Sequence, residues 1–377
     1  MPDAADDPLA TLAAPEKKAL IDAGLDLEQL RQNAALLRSM KAEDNFVRGV
    51  IEAPGPSDIE ALPPEGSDDY KALERRGREA LEAGQVALIV LAGGMATRMG
   101  GVVKSLVEAL PGHTFLDLRL NEAAANARKY GAPPPLWIMT SHATDAGIRA
   151  ALGERLDGER VAVFQQFVAV RLEPGGGLFV GDDGKPSIHA PGHGDLPEAL
   201  QRSGLIQRFV ARGGRVVMMT NLDNLGGTLD PAIIGYHLAH GDPVTSEVVD
   251  KVGSDRGGIP ARVDGRLAVL EEFRIPRSFD ADQVRVFNTN VFHFDAAALA
   301  KLAMPWTFFR VTKKVDGREA VQFERLVNEV TFQLPTHYLR VPRSGPRARF
   351  LPVKDIDELE ARRAENELIA RTRGMLP

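Results

Sequence analysis

The residues best suited to bind an anion lie in one glycine-rich segment that follows a short apolar run. The run Val86–Leu91 predicts a buried strand, and it continues directly into Ala92-Gly93-Gly94. Glycines at this place let backbone N–H groups approach an anion closely, and Arg98 and Lys104 would add charged contacts. A nucleoside triphosphate is the natural ligand, and a glycine-rich turn with two exposed bases is the alternative. No G-x-G-x-x-G string is present, and Val103 stands before Lys104 where a Walker A loop needs glycine.

A candidate metal ligand, Asp223, follows the apolar run Val216–Thr220. Its carboxylate is therefore expected at the carboxyl end of a strand, where ligands for Mg²⁺ beside phosphates are common. An aspartate at a strand end can also cap a helix, as we expect for Asp230. The residues alone leave both interpretations of Asp223 open.

Several other polar residues have an interpretation as ligands and a structural one. The amide of Gln166 suits the donor and acceptor edge of uracil, or it caps a strand. His193, between two glycines, offers a directional hydrogen bond, or it is a loop histidine in a turn. Glu247 and Lys251 could bind sugar hydroxyls, or they form a surface ion pair worth under ~1 kcal/mol.

The asparagines of Phe287-Asn288-Thr289-Asn290 have the same ambiguity, because asparagine also forms turns. Gly258 lies in a loop and permits either close approach of a sugar or a hairpin turn. Lys354 is a lone lysine, which is usually a solvated charge. The acidic pair Glu271-Glu272 is interpreted as a solvated strand end.

Taken in order, these segments resemble the sugar-nucleotide pyrophosphorylases. The string Leu91-Ala92-Gly93-Gly94, with Thr97-Arg98, Gly100 and Lys104 after it, is similar to the signature of that family. Five later strings resemble the eukaryotic-type UTP–glucose-1-phosphate uridylyltransferases more narrowly. They are Pro191-Gly192-His193-Gly194-Asp195, Asn221-Leu222-Asp223-Asn224-Leu225, Glu247-Val248-Val249-Asp250-Lys251, Phe287-Asn288-Thr289-Asn290 and Leu351-Pro352-Val353-Lys354.

This resemblance implies a reaction and a role for each residue. UTP and a sugar 1-phosphate would give a UDP-sugar and pyrophosphate by in-line attack at the α-phosphorus, with Mg²⁺ as cofactor. Arg98, Lys104 and Lys354 would be catalytic, and Asp223 would bind the metal. The implied nucleotide-binding residues are Leu91, Ala92, Gly93, Gly94, Met139, Gln166, Gly192 and His193. The implied sugar-binding residues are Asn221, Glu247, Lys251, Gly258, Asn288 and Asn290.

Two departures from the family pattern keep alternatives open. Ala96 replaces a glycine, and the stretch from Gly101 to Val103 is one residue short. A sensor or scaffold that binds UDP-sugar with little turnover is therefore one alternative to the enzyme. A pyrophosphorylase for another sugar, such as N-acetylglucosamine 1-phosphate, is the other, because pocket shape decides the choice of sugar.

The elements that must position these residues form an α/β pattern. Apolar runs at Val86–Leu91, Leu136–Thr140, Val161–Phe164 and Val216–Thr220 alternate with helical stretches, which indicates a mostly parallel sheet flanked by helices. The family resemblance implies a Rossmann-like (GT-A-like) nucleotidyltransferase fold. We predict an N-terminal helical segment and linker at 1–83, a catalytic domain at 84–335 and a short C-terminal extension at 336–377. We also predict a helix over Val321–Phe332.

Composition excludes several other classes of protein. With no cysteine, the chain of 377 residues has no disulfide, thiolate nucleophile or cysteine-bound zinc. Its 46 basic and 52 acidic residues give a net charge of -6, which argues against nucleic acid and anionic membranes as partners. We expect a cytoplasmic protein. Only about 23 residues follow Lys354, too few for the β-helix domain of eukaryotic relatives, so we expect a monomer or small homo-oligomer.

Overall fold

The computed structural model describes residues 7–96, 100–253 and 255–376. Its strands are β1 (Ile51–Glu52), β2 (Ile59–Ala61), β3 (Val86–Leu91), β4 (Met95–Ala96), β5 (Val102–Val103), β6 (Glu108–Leu110), β7 (His113–Thr114), β8 (Leu136–Thr140), β9 (Val161–Gln165), β10 (Ala169–Val170), β11 (Ile188–His189), β12 (Val216–Asn221), β13 (Val244–Asp250), β14 (Ile259–Val263), β15 (Arg266–Leu270), β16 (Val286–Asp295), β17 (Phe309–Val315), β18 (Arg318–Glu324) and β19 (Thr336–Arg340).

The α-helices alternate with these strands along much of the chain. They are α1 (Ala14–Asp22), α2 (Leu27–Leu37), α3 (Asp68–Glu82), α4 (Phe115–Tyr130), α5 (Asp145–Leu152), α6 (Leu196–Ser203), α7 (Leu205–Ala211), α8 (Pro231–His240), α9 (Ala296–Lys301), α10 (Ile356–Ala361) and α11 (Arg363–Thr372).

Eight strands form the central sheet in the order β2-β19-β13-β16-β12-β3-β8-β9. Every strand except β16 runs in the same direction, because β16 is antiparallel to both of its neighbours and all other pairs are parallel. The mixed, mostly parallel sheet predicted from the sequence is confirmed. The carboxyl ends of β3, β8, β9 and β12 therefore meet at one edge, where ligands bind in such sheets.

Burial on both faces explains why these strands have continuous apolar sequences. Along β3, Val86, Leu88 and Val90 pack into one core cluster, whereas Ala87 and Ile89 pack into a second cluster on the opposite face. The side chains of a strand alternate between faces, so a strand covered by helices on both sides needs apolar residues at every position.

The central sheet extends beyond the limits predicted for the catalytic domain. Strand β2 lies before residue 84 and β19 lies after residue 335, and the two pair with each other in parallel. Strand β19 also pairs with β13, so both segments belong to the same sheet as the rest. The limits at 84 and 335 thus do not mark where this sheet begins and ends.

The N-terminal helices pack on a hairpin that the sequence did not indicate. Leu30 and Ala34 of α2 share a core cluster with Val321 and Phe323. The predicted helix over Val321–Phe332 is wrong, because residues up to Glu324 form β18 of the β17–β18 hairpin and a 3-10 helix follows over Val327–Phe332. None of the helices in the described residues is long and apolar enough to cross a bilayer.

Candidate active site

A pocket of about 420 Å³ opens at the carboxyl ends of β3 and β12. It brings together ten of the residues singled out from the sequence: Leu91, Ala92, Gly93, Gly94, Lys104, Gln166, Gly192, His193, Asn221 and Asp223. Ser105, Ala190, Leu222 and Glu324 also line it. We call this space the first pocket. Arg98 lies outside the described residues.

One end of the first pocket presents an amide with an unused acceptor. Gln166 is 7% exposed, and its Oε1 has no hydrogen-bond partner among the described residues. Its backbone N–H donates to the carbonyl oxygen of Thr140 at 2.9 Å, which fixes the residue at the end of β9. Gly93 passes so close that a Cβ there would collide with the amide nitrogen of Gln166. The glycine therefore permits this amide to pack against the glycine-rich segment.

His193 is held as a neutral imidazole beside this amide. Burial lowers the pKa of His193 to about 4, so the ring is uncharged at neutral pH. Its Nδ1 accepts the backbone N–H of Val327 at 3.0 Å, which leaves the proton on Nε2. A ligand in the pocket would thus meet the Nε2–H donor of His193 in a wall that Gln166 also lines.

An ion pair lies elsewhere in the first pocket. Lys104 Nζ donates to Asp223 Oδ2 at 2.7 Å, and the side chains keep 26% and 13% of their accessible surface. The backbone N–H of Val353 also donates to this carboxylate, at 3.3 Å. Lys354 follows Val353 in the chain and is exposed, and it does not line the pocket. A partly open pair of this kind can exchange partners with a bound phosphate.

Arg119, which the sequence did not indicate, holds the loop that carries Asp223. It is fully buried on α4 and donates to the backbone carbonyl oxygens of Leu222 at 3.2 Å and Gly227 at 2.9 Å, and to that of Asn224. Glu122 balances its charge at 2.7 Å. The available signal was a pair of opposite charges, Arg119 and Glu122, three residues apart in a helix whose other buried residues are mainly apolar.

A chain of hydrogen bonds leads from the first pocket toward β13 and β14. Asn290 Nδ2 donates to Asn221 Oδ1 at 3.0 Å, and its own backbone adopts a φ of 58°. The Oδ1 of Asn288 accepts the backbone N–H of Asn290 at 3.2 Å. Asn288 also donates its own backbone N–H to the carbonyl oxygen of Gly258 at 2.7 Å. These four predicted residues therefore form one connected group next to Asp223.

Glu271 adjoins this group, although the sequence suggested a solvated strand end. A Cβ on Gly258 would lie 2.8 Å from Glu271 Oε1, so the glycine permits the approach of this carboxyl group. The same oxygen accepts from Asn328 Nδ2 at 3.1 Å. Burial, together with the carboxylates of Glu329 and Glu272, raises the pKa of Glu271 to about 7.

Three other predicted residues belong neither to the lining of the first pocket nor to the group formed by Asn221, Asn290, Asn288 and Gly258. Glu247 is fully buried, and its carboxylate oxygens accept from Arg349 Nε at 2.8 Å, Arg349 Nη2 at 2.6 Å and His293 Nε2 at 2.8 Å. Lys251 lines a separate cavity and donates to the carbonyl oxygen of Ala281 at 3.0 Å. Met139 is completely buried in the second core cluster.

Comparison with known proteins identifies the family. Residues 52–368 match the family model described as UTP–glucose-1-phosphate uridylyltransferase. The chain belongs to this family. The family resemblance predicted from the sequence strings is thereby confirmed.

Curated relatives carry the same description. The UTP–glucose-1-phosphate uridylyltransferase of Hordeum vulgare is 29% identical over 321 residues, which are 81% of this chain and 65% of that protein. The Saccharomyces cerevisiae protein of the same name is 26% identical over 336 residues, or 82% of this chain and 64% of the relative. The chain thus spans just under two thirds of the length of these relatives.

Solved structures with the same fold include two from Trypanosoma brucei. The uridine diphosphate N-acetylglucosamine pyrophosphorylase has a TM-score of 0.77 at 20% identity and covers 97% of this chain and 82% of its own. A protein described as UDP-glucose phosphorylase has a TM-score of 0.75 at 23% identity, with coverage of 92% and 77%. At these identities the likeness establishes the fold, which agrees with the predicted nucleotidyltransferase architecture.

Proposed function

We propose that this chain transfers a uridylyl group from UTP to a sugar 1-phosphate, with glucose 1-phosphate as the preferred acceptor. The first pocket is the observation that carries the proposal. Two of its residues, Gln166 and His193, suit hydrogen bonds to uracil. The same pocket contains an ion pair suited to phosphates, Lys104 and Asp223. Family membership and the names of the relatives support the same reaction.

The chemistry asks this chain to position two anions rather than to form a covalent intermediate. An oxygen of the sugar phosphate attacks the α-phosphorus of UTP, the bond to the β-phosphate breaks, and pyrophosphate leaves. The attacking oxygen is already ionised, so no general base is needed. Lys104 offsets charge on the phosphates, and Gln166 and His193 fix the nucleoside end.

The residues present fit the Mg²⁺ ion that the family resemblance implies. Mg²⁺ usually takes one or two carboxylates and completes its shell with waters and substrate phosphates. Asp223 offers such a carboxylate at the strand end, and among the described residues its hydrogen bonds, from Lys104 and Val353, go to Oδ2 alone. When bound, the ion would neutralise charge on the phosphate oxygens and align them.

The sugar would bind next to Asn221, in the group formed with Asn290, Asn288 and Gly258. Amide groups donate and accept hydrogen bonds, so they suit sugar hydroxyls. The carboxyl group of Glu271 adjoins Gly258 and adds a further polar contact in this region. Lys354 remains a proposed catalytic residue, and the hydrogen bond from the preceding residue, Val353, to Asp223 supports this proposal. The cytoplasmic location and the monomeric or small homo-oligomeric state remain predictions from the sequence.

The direct test measures pyrophosphate release from UTP and Mg²⁺ with glucose, galactose and N-acetylglucosamine 1-phosphates. We expect the fastest turnover with glucose 1-phosphate. Tight binding of UDP-glucose without turnover, unchanged in Asp223→Asn, would instead indicate a sensor. Absence of both binding and pyrophosphate release across the panel would overturn the proposal.

The choice of base offers a sharper test of the first pocket. We expect Gln166→Met to reduce the preference for UTP over CTP about tenfold, because the unused acceptor matches the N3–H of uracil and not the N3 of cytosine. Gln165→Met is the matched control, since Gln165 is exposed and does not line the pocket. Equal effects of the two variants would contradict the assignment of Gln166.

A further inference from the structure

A second pocket, of about 310 Å³, lies between helix α2 and the short strands β10 and β11. Apolar residues such as Leu30, Val170 and Phe323 form most of its walls, and four charged residues also line it: Asp26, Glu198, Arg202 and Arg325. Apolar cavities of about 150 Å³ already bind a one-ring molecule such as benzene. The second pocket therefore has room for a two-ring molecule, and the proposed reaction makes no use of it.

One polar side chain in the wall of the second pocket lacks a partner. His189 is 4% exposed, and its Nε2 has no hydrogen-bond partner among the described residues. Its Nδ1–H donates to the carbonyl oxygen of Ala190 at 3.0 Å. Burial lowers the pKa of His189 to about 4, so the ring is neutral and Nε2 is an acceptor. A ligand that carries a donor would satisfy this buried atom, which otherwise costs free energy.

The two pockets share a wall made of three short chain segments. Within each segment, neighbouring residues line different pockets. The residues that line the first pocket are Gln166, Ala190, Gly192 and Glu324. Their chain neighbours that line the second pocket are Phe167, His189, Pro191 and Arg325. A ligand in the second pocket would thus contact the backbone that shapes the nucleotide end of the first.

Hydrogen bonds join these segments into one unit. Arg325 donates its backbone N–H to the carbonyl oxygen of Pro191 at 2.7 Å and its Nε–H to Asp195 Oδ1 at 2.6 Å. The other oxygen of Asp195 accepts the backbone N–H of Phe167 at 2.9 Å. Two residues after Arg325, Val327 donates to His193 in the first pocket. Movement of Arg325 would therefore reach both Gln166 and His193.

We propose that the second pocket binds a small, mainly apolar molecule carrying one hydrogen-bond donor, and that its occupancy changes nucleotide affinity in the first pocket. The pocket, its unpartnered acceptor and the shared wall carry this inference. The binding part stands independently, whereas the change in nucleotide affinity rests on the proposed function.

Binding is tested with indole and benzofuran, two molecules of nearly the same shape of which only indole has an N–H donor. Both are titrated by ligand-observed NMR without nucleotide. We expect indole to bind at least about fivefold more tightly than benzofuran, and His189→Leu to remove this preference. If indole does not bind saturably, or if His189→Leu keeps the preference while folded, the proposal is overturned.

A pair of tryptophan variants on one helix locates the site. Gln29 lines the second pocket, whereas Gln32 is exposed on the same helix and does not. We expect Gln29→Trp to weaken indole binding more than about tenfold by filling the pocket, and Gln32→Trp to leave it unchanged. Thermal melts verify that each variant is folded. Equal indole binding by folded Gln29→Trp and Gln32→Trp would place the ligand elsewhere and overturn the proposal.

Coupling is tested by measuring the Kd of UTP with and without saturating indole. We expect a change of at least about threefold, and UTP must change the Kd of indole by the same factor because linkage is reciprocal. In Gln29→Trp the effect of indole should disappear. An unchanged Kd for UTP overturns the regulatory part. Failure of UTP to bind at all would count against the proposed function and leave the binding result standing.

Discussion

Two ion pairs in this molecule have similar chemistry and very different surroundings. Lys104 and Asp223 meet at 2.7 Å with side chains that keep 26% and 13% of their surface, and both line the first pocket. Arg349 and Glu247 meet at 2.6 Å with side chains that are 1% and 0% exposed. The partly exposed charges of an open pair can bind a substrate instead of each other, whereas the charges of a closed pair can only stabilise the fold. A charged residue in or beside a strand therefore predicts a ligand only where solvent reaches its side chain.

The position of each carboxylate in the sheet accounts for the contrast. Glu247 lies within β13, which pairs with β16 on one side and β19 on the other. Asp223 lies beyond the last residue of β12, in the loop whose backbone carbonyl groups accept hydrogen bonds from Arg119. Burial alone would raise the pKa of Glu247, but Arg349 and His293 outweigh it and lower the pKa. Glu247 therefore stays ionised without any contact with solvent.

The largest expected effect comes from breaking the closed pair. Glu247→Gln should lower the free energy of unfolding by about 3–5 kcal/mol, because it leaves the guanidinium of Arg349 buried without a charged partner. Urea denaturation monitored by circular dichroism measures this loss.

The control for this prediction replaces both partners of the closed pair. Glu247→Leu combined with Arg349→Met removes both charges of this pair, so it should recover much of the stability lost in Glu247→Gln. If Glu247→Gln is as stable as the parent chain and instead raises the KM for sugar 1-phosphate, Glu247 belongs to the site as the sequence suggested.

The open pair should respond in the opposite way. Asp223→Asn is expected to lower kcat about 100-fold to 1000-fold while changing the free energy of unfolding by less than about 1 kcal/mol. Pyrophosphate release and urea denaturation provide the two measurements. The matched control is Asp250→Asn, an aspartate at the end of β13 whose partner is Arg340, and it should keep kcat within about twofold. Similar losses of kcat in both variants would contradict the proposed role of Asp223 as the metal ligand.

Much of the fold could be predicted because the central strands are buried on both faces. The strands at Val86–Leu91 and Leu136–Thr140 were predicted with the ends that the structure has, since continuous apolar runs mark buried parallel strands. Strand β18 was mistaken for a helix because its pairing with β17 and its contacts with α2 are not local. Strand β2 has only three residues, too few to show a pattern.

The residues of the candidate site also differ in whether a local sequence pattern predicts them. The glycine-rich loop with Lys104 and the strand-end Asp223 have local signatures, whereas the family resemblance indicated the other predicted residues of the first pocket. The closure of Glu247 depends on Arg349, 102 residues further along the chain, and no local pattern announces that partner. Arg119 and Glu271 also act through contacts distant in sequence. Sequence patterns thus located the strand ends, whereas the folded structure decided which side chains remain accessible.

Glu271 belongs to neither ion pair, and its titration tests how far its surroundings shield its carboxyl group from solvent. Its pKa of about 7 exceeds the usual value, so between about pH 4.5 and pH 7 the unfolded chain loses this proton first and stability falls as pH rises. Glu271→Gln cannot titrate. Its stability relative to the parent chain should therefore increase by about 2–3 kcal/mol from pH 5 to pH 8. Urea denaturation at both values of pH measures this, and an unchanged difference would contradict the raised pKa.

The smallest expected effect concerns Lys251, the predicted sugar ligand that the structure places in a separate cavity. Lys251→Ala should change the KM for sugar 1-phosphate by less than about twofold, because within the described residues its Nζ hydrogen-bonds only to the carbonyl oxygen of Ala281. Asn290→Gly is the comparison variant, since glycine accepts the φ of 58° and removes only the amide that contacts Asn221. It should raise that KM about tenfold, the equivalent of one lost hydrogen bond. A larger rise in KM for Lys251→Ala than for Asn290→Gly would indicate that the sugar binds in the cavity beside β13 and not next to Asn221.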